Sequence, residues 1–281
     1  MSAQKEDSAE MRSENKKDIK DSIHSVSSRG LSHSVNEDNH YEGNGFIVVV
    51  DGMGGESAGD VASKIVVESI SRGIKDLDLS GKEDKEIERL MKSLIQNADE
   101  EIGRYVDANP ESLGMGSTVL LAYHHGDSVY VSWCGDSRCL LYRHGTVTPL
   151  TKDHSVVQQL IDSGRITEEE AFSHPDNNII TRYAGGGKET CDPDFLRHDL
   201  DSEDLLIFCT DGLSGYCLNS EIAQCIDSHE ESELPEALKS LALRKGSEDD
   251  ITIVTMGRNF NGGYQNKNRK RKGWWASLFS R

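Results

Sequence analysis

The hydrophobic pattern of this chain changes period several times between residues 22 and 257. Strand-like patterning begins near Ser22. Residues 46–50 form a short, wholly apolar run bounded by Gly45 and by Asp51-Gly52, as a buried strand would be. The spacing then turns helical. Ala58, Val61, Ala62, Ile65, Val66, Ile70 and Ile74 share one stripe, and Ile87, Leu90, Met91, Leu94, Ile95, Ala98 and Ile102 share another. Each stripe predicts an amphipathic helix that covers one face of a sheet. From 117 to 150 the runs STVLLAY, SVYVSWC, RCLLYR and TVTPL are separated by HHGD, GDS and HG. β-rich runs joined by glycine-containing turns predict an antiparallel meander.

Residues 153–173 are helical again, with Gly164 in a capping position. The polar stretch 174–203, with Pro175, Pro193 and three consecutive glycines, is expected to be an exposed loop. A strand at 205–210, helices near 219–229 and 233–245, and a strand at 251–256 complete the pattern. This arrangement predicts one domain over 22–257. Residues 1–21 are charged, Ser-rich and aperiodic, and are expected to be disordered.

The 281 residues carry a net charge of −18, which argues against nucleic acid as a partner. The charge is uneven. Residues 258–281 hold seven of the 31 Lys and Arg and none of the 49 Asp and Glu. Within this tail, five basic residues at 267–272 precede Trp274, Trp275, Leu278 and Phe279. Bases beside interfacial aromatics suit a peripheral contact with an anionic membrane, or with a partner. The six cysteines form no CxxC pair, which argues against a zinc site and for buried thiols in a reducing compartment. The polar N-terminus is no signal peptide, and no apolar run approaches the ~18 residues of a transmembrane helix. A cytoplasmic monomer is expected.

The candidate chemistry lies at the strand ends. Asp51 follows GFIVVV, Asp211 follows LLIFCT, and Asp249-Asp250 precede ITIVTM. Three carboxylates meeting in one place stay ionised together only around cations. A hard, oxygen-ligated ion is expected, Mn2+ or Mg2+.

Eight motifs occur in order: NED (36–38), DGMGG (51–55), GMGST (114–118), CGDSR (134–138), LTKDHS (150–155), HPDNNIITR (174–182), TDGL (210–213) and EDDITIV (248–254). With them the chain resembles the metal-dependent protein phosphatase 2C family, specifically its compact bacterial members, over about residues 22–257. The resemblance implies an α+β fold, a four-layer αββα sandwich of two central antiparallel β-sheets flanked by helices. It implies hydrolysis of phosphoserine and phosphothreonine in proteins by a water bridging two Mn2+ or Mg2+ ions, without a phosphoenzyme. Carried over by position, Asp51 would bridge the ions and Gly52 would lend its carbonyl to one. Asp211 and Asp249 would bind the other. Glu37 and Asp38 would hold metal-bound waters, and Asp136 with Asp211 would offer a third, weaker site. Phosphorylated proteins and a cognate Ser/Thr kinase are the implied partners.

Several positions depart from the family pattern or stay open. Where bacterial relatives place a phosphate-gripping arginine, this chain has His33; Arg29 and Arg182 are the alternative cations. EDDIT carries Asp250 where relatives have asparagine, and the extra charge either strengthens metal binding or faces solvent. Arg138 is assigned to an ion pair at the sheet end. Met53 leaves the general acid open, with His40 and His154 as candidates that also have structural readings. Residues 165–190 correspond to the family's flap. His33 supports a second reading, a phosphatase-like regulatory or binding module with weak catalysis. A third reading is a phosphatase of a small phosphorylated molecule.

Overall fold

A computed structural model describes residues 21–54, 58–185 and 191–258. The strands are β1 (Asp21–Ser28), β2 (Asp38–Gly43), β3 (Phe46–Met53), β4 (Gly116–Ser117), β5 (Val119–His125), β6 (Ser128–Cys134), β7 (Arg138–Arg143), β8 (Thr146–Pro149), β9 (Asp194–Asp199), β10 (Leu205–Cys209) and β11 (Ile251–Arg258). The α-helices are α1 (Gly59–Ile74), α2 (Asp84–Ala108), α3 (Val156–Asp162), α4 (Glu168–Phe172), α5 (Asp211–Ser214), α6 (Asn219–Ile226) and α7 (Leu234–Arg244). The expectations for the N-terminal segment 1–20, the flap residues 186–190 and the tail 259–281, and the last residue of the DGMGG motif, lie outside the described residues.

One sheet runs β1-β11-β10-β7-β8, and the other β2-β3-β5-β6-β9 with β4 added to β3. All pairings are antiparallel. Central strands divide their side chains between two cores. In β3, Phe46, Val48 and Val50 pack under α1 and α2, while Ile47 and Val49 face the other sheet. In β10, Leu205, Ile207 and Cys209 pack under α5, α6 and α7, while Leu206 and Phe208 point between the sheets. Both faces are dry, which is why these strands are written as unbroken apolar runs. Each fully buried Val or Ile contributes about 1.5–3 kcal/mol. The result is the expected four-layer αββα sandwich.

Two expectations are corrected. The runs at 117–150 do not form one meander. β5 and β6 pair in one sheet and β7 and β8 in the other, and the chain crosses between sheets at 135–137. The α1 and α2 helices each cover a sheet face as expected, and lie side by side on the same one. The stretch 174–203 is not all loop, because β9 adds an edge strand beside β6. β2 and β9 were not legible because edge strands have one neighbour and tolerate polar residues. Gly164 does follow α3 as expected, its N–H donating to the Ile161 carbonyl at 2.9 Å. Among the described residues, no helix is long and apolar enough to cross a membrane.

Candidate active site

The acidic positions gather at one end of the sandwich because the antiparallel order puts the right strand ends there. Asp38 at the start of β2 is in register with Asp51 near the end of β3. In the other sheet, the Thr210 N–H donates to the Thr252 carbonyl at 3.1 Å, so the exit of β10 and the entry of β11 lie together. That pairing sets Asp211 beside Asp249-Asp250. The crossing at 135–137 brings Asp136 to the same end.

Hydroxyls tie the two sheets across this end. Thr210 Oγ1 donates to Asp38 Oδ2 at 2.8 Å and accepts from the Thr252 N–H at 3.0 Å. Thr118 Oγ1 accepts from the Asp51 N–H at 2.9 Å and shares a hydrogen bond with Ser137 Oγ at 2.7 Å. Asn36 donates to Ser27 Oγ at 2.8 Å. Sequence reasoning passed over Thr118, Ser137 and Thr210 as individuals, although each lies inside a motif it had marked.

The electrostatics show how close the carboxyls are. Burial pushes Asp51 well above the usual carboxylate range, and the charges of Asp38, Asp211, Asp136 and Asp249 push it further. Asp38 and Asp136 are raised well above that range too, by burial first and then by Asp211. Asp211 is pushed up to about 6 by burial and by Asp249. Burial also raises Asp249 and Glu37. Protein alone does not satisfy this cluster. Asp38 Oδ1 and Asp211 Oδ1 are buried without a hydrogen-bond partner. A divalent cation would remove both the repulsion and the orphaned acceptors. Among the described residues, no three acidic, His or Cys side chains form a closed metal cage. Ions held here would therefore draw other ligands from backbone carbonyls and water, as Mg2+ and Mn2+ sites do.

Gly52 leaves no room for a side chain. A Cβ at this position would lie 2.0 Å from the Gly59 carbonyl oxygen and 2.7 Å from that of Glu37. The strand end thus reaches the α1 entry only because residue 52 lacks a side chain. Gly52→Ala should destabilise the protein by roughly 1–3 kcal/mol and weaken Mn2+ binding, as read by calorimetric melting and by metal titration.

The remaining candidates divide. His33 Nδ1 hydrogen-bonds Asp250 Oδ2 at 2.9 Å and lies 3.7 Å from Asp249 Oδ1. The bond to Asp250 is the main cause of its raised pKa. Asp250 does not face solvent; it is 3% exposed and accepts from the Gly30 and Glu37 N–H groups, each at 2.6 Å. Arg29 Nη1 donates to the His33 carbonyl. Arg182 Nη1 donates to Asp194 Oδ1 at 2.9 Å and to the Asp192 carbonyl at 3.1 Å. His154 is buried with both ring nitrogens engaged, Nδ1 by the Gly135 N–H and Nε2 by Asp194. His40 Nε2 sits 3.9 Å from Glu42 on β2. Arg138 grips Asp153 through Nε and Nη2 at 2.9 and 2.6 Å, the ion pair expected at the sheet end.

The sequence profile of Protein phosphatase 2C matches residues 8–181 of this chain. The chain belongs to the protein phosphatase 2C family. It is 34% identical over 228 residues, 81% of its length, to the Serine/threonine protein phosphatase PstP of Mycobacterium tuberculosis, but spans only 43% of that relative. It is 32% identical over 240 residues to the Serine/threonine phosphatase stp of Listeria monocytogenes, covering 82% of this chain and 93% of the relative. The crystal structure of the Mycobacterium tuberculosis phosphatase superposes with a TM-score of 0.78 at 32% identity, over 85% of this chain and 98% of that one. The PstP catalytic domain in complex with two manganese ions superposes with a TM-score of 0.75 at 31% identity, over 84% of this chain and 97% of that one. The two sheets and flanking helices are thus those of protein phosphatase 2C, and the carboxyl cluster lies at one end of that framework.

Proposed function

We propose that this chain is a metal-dependent protein serine/threonine phosphatase whose catalytic unit spans residues 22–257. The observation that carries the proposal is the meeting of Asp38, Asp51, Asp136, Asp211 and Asp249 in one electrostatic cluster, with two orphaned oxygens, at one end of the sandwich. Two Mn2+ or Mg2+ ions, when bound, would neutralise an anionic phosphate monoester and activate water for in-line attack. Asp51 would be shared between the ions, the Gly52 carbonyl would serve one of them, and Asp211 and Asp249 would serve the other. Glu37 and Asp38 orient water, and Asp136 with Asp211 offers a third, weaker position. The phosphoprotein substrates imply a Ser/Thr kinase as the opposing enzyme.

On the substrate side His33 is the phosphate-facing group, and Arg29 supports its loop through the His33 carbonyl. A histidine offers the phosphate one nitrogen, whereas arginine offers a planar fork. His33→Arg should therefore lower KM for a phosphothreonine peptide, with kcat/KM rising roughly tenfold in steady-state assays. His33 is also the single observation that favours the second reading, a phosphatase-like binding module with weak catalysis. One experiment separates the readings: hydrolysis of a phosphothreonine peptide and of a small phosphomonoester, each with Mn2+ and with chelator. Turnover of the peptide that stops with chelator supports a protein phosphatase. Binding without turnover supports the module, and preference for the small ester supports a small-molecule phosphatase.

A further inference from the structure

Tyr183 stands at the metal end of the sandwich, half-buried, without belonging to any of the three apolar cores. Among the described residues its ring stacks on no aromatic group and its hydroxyl makes no hydrogen bond. What fixes it is backbone. Ser117 and Ala184 exchange two hydrogen bonds, at 2.7 and 2.9 Å, so residues 183–185 lie along β4 as β4 lies along β3. The Gly185 N–H donates to Asp99 Oδ1 at 2.8 Å, which ties the end of this segment to α2. The Cδ2–Cε2 edge of the ring fills the space that side chains on two glycines would need. A Cβ on Gly116 would lie 2.7 Å from Tyr183 Cδ2, and one on Gly185 would lie 2.4 Å from Tyr183 Cε2.

Register shows which way the ring faces. In β3, Val48 and Val50 point to the helices, and a Cβ on Gly52 would continue that row against Gly59 of α1. Asp51 and Met53 therefore point to the opposite face, the one that carries the carboxyl cluster. Ser117 is opposite Gly52, and Gly116 is opposite Met53. Ala184, opposite Ser117, joins the core under the helices. By alternation Tyr183 takes the face of Asp51, and its contact with the vacant side of Gly116 agrees. Two strand spacings of about 4.8 Å set this segment roughly 10 Å to the side of Asp51. That distance is about three residues of extended peptide.

Building on the phosphatase reading, we propose that Tyr183 is a specificity-determining residue whose ring receives a lysine or arginine side chain two or three positions from the phosphorylated residue. A tyrosine seated against backbone has few rotamers to lose, so little entropy opposes the contact. The face of its ring attracts a cation. The surroundings favour one over an apolar or acidic side chain. Asp99 stands behind Gly185, Asp192 and Asp194 meet the adjacent Arg182, and the chain carries −18 overall. Arg182 itself is engaged by Asp194 and by the Asp192 carbonyl, which leaves the ring for a cation from the substrate.

The test uses the full chain with Mn2+ and two phosphothreonine peptides. One carries arginine two and three positions to either side of the phosphothreonine, and the other carries citrulline there, which keeps the shape and removes the charge. Wild-type KM should be roughly fivefold lower for the arginine peptide, with kcat moving far less. In Tyr183→Leu the ratio of the two KM values should fall to about one. Tyr183→Phe should keep the wild-type ratio, because the hydroxyl takes no part. Gly185→Ala displaces the ring and should lower the ratio with the tyrosine still present, so the result does not hang on one variant folding. Equal KM values in wild type, or a ratio that survives Tyr183→Leu, overturn the proposal. So does a Tyr183→Leu protein that loses activity equally toward both peptides and p-nitrophenyl phosphate, since the ring would then serve the metal end or the fold. Wild-type protein that hydrolyses none of the three overturns the phosphatase reading, and this proposal with it.

Discussion

Asp51→Asn should reduce Mn2+-dependent hydrolysis of a phosphothreonine peptide by about 1000-fold or more, the equivalent of about 4 kcal/mol of transition-state stabilisation. The change is nearly isosteric. The backbone contacts of Asp51 to Thr118, at 2.9 and 2.8 Å, do not involve its side chain and survive. What is lost is the charge at the centre of the cluster. Asp51 feels Asp38, Asp211, Asp136 and Asp249, and in the proposed mechanism it is the carboxyl shared between two ions. The same substitution should make the metal-free protein more stable, because it removes one charge from a group of mutually repelling carboxyls. Activity and apo-stability therefore move in opposite directions, which a general folding defect would not produce. Calorimetric melting in chelator and steady-state kinetics in Mn2+ read the two quantities separately. A variant that keeps its activity, or wild-type activity that survives chelation, would remove the metal mechanism.

Saturating Mn2+ should raise Tm by roughly 5–15 °C at pH 7.5, and by less than half as much at pH 5. The sign follows from the direction of the shifts. Asp38, Asp51, Asp136 and Asp211 have folded-state pKa values raised above the ordinary carboxylate value. Their contribution to stability is fully present below about pH 4 and is lost as pH rises through the folded values, about 6 for Asp211 and above the normal range for the others. At neutral pH the metal-free cluster thus opposes folding, and a bound cation relieves that opposition. At pH 5 protons already do so, and Mn2+ must displace them. Scanning calorimetry with Mn2+ or chelator at the two pH values measures this directly. Equal shifts at both would place the ion away from these carboxyls.

Some of the fold could be read directly from residue order. Residues 46–50 had to be a buried strand, and the two helical stripes had to cover a sheet, because periodicity is a local property. The strand ends were legible for the same reason: a charged residue ending an apolar run is visible without knowing the partner strand. The edge strands were not. β2 and β9 are written mostly in polar residues, since one side of each is unpaired and partly exposed. The meander failed for a related reason. The turns after β5, β6 and β7 look alike in sequence, and only packing between the sheets makes the second of them a crossing. That crossing carries Asp136 to the site.

The sequence by itself determined the ligand chemistry: acidic residues at three strand ends, a glycine after two of them, and oxygen-rich motifs suited to a hard cation. Tertiary structure decided which groups each acid meets. Asp250 shows the difference most clearly. As a sequence position it is an extra charge beside a ligand, with two equally open readings. In the folded chain it meets Gly30, His33 and Glu37, between 213 and 220 residues away, and it does not face solvent. A side chain's type limits which bonds it can make. Only the close approach of the distant loop at 29–37 to the entry of β11 selects which of them form.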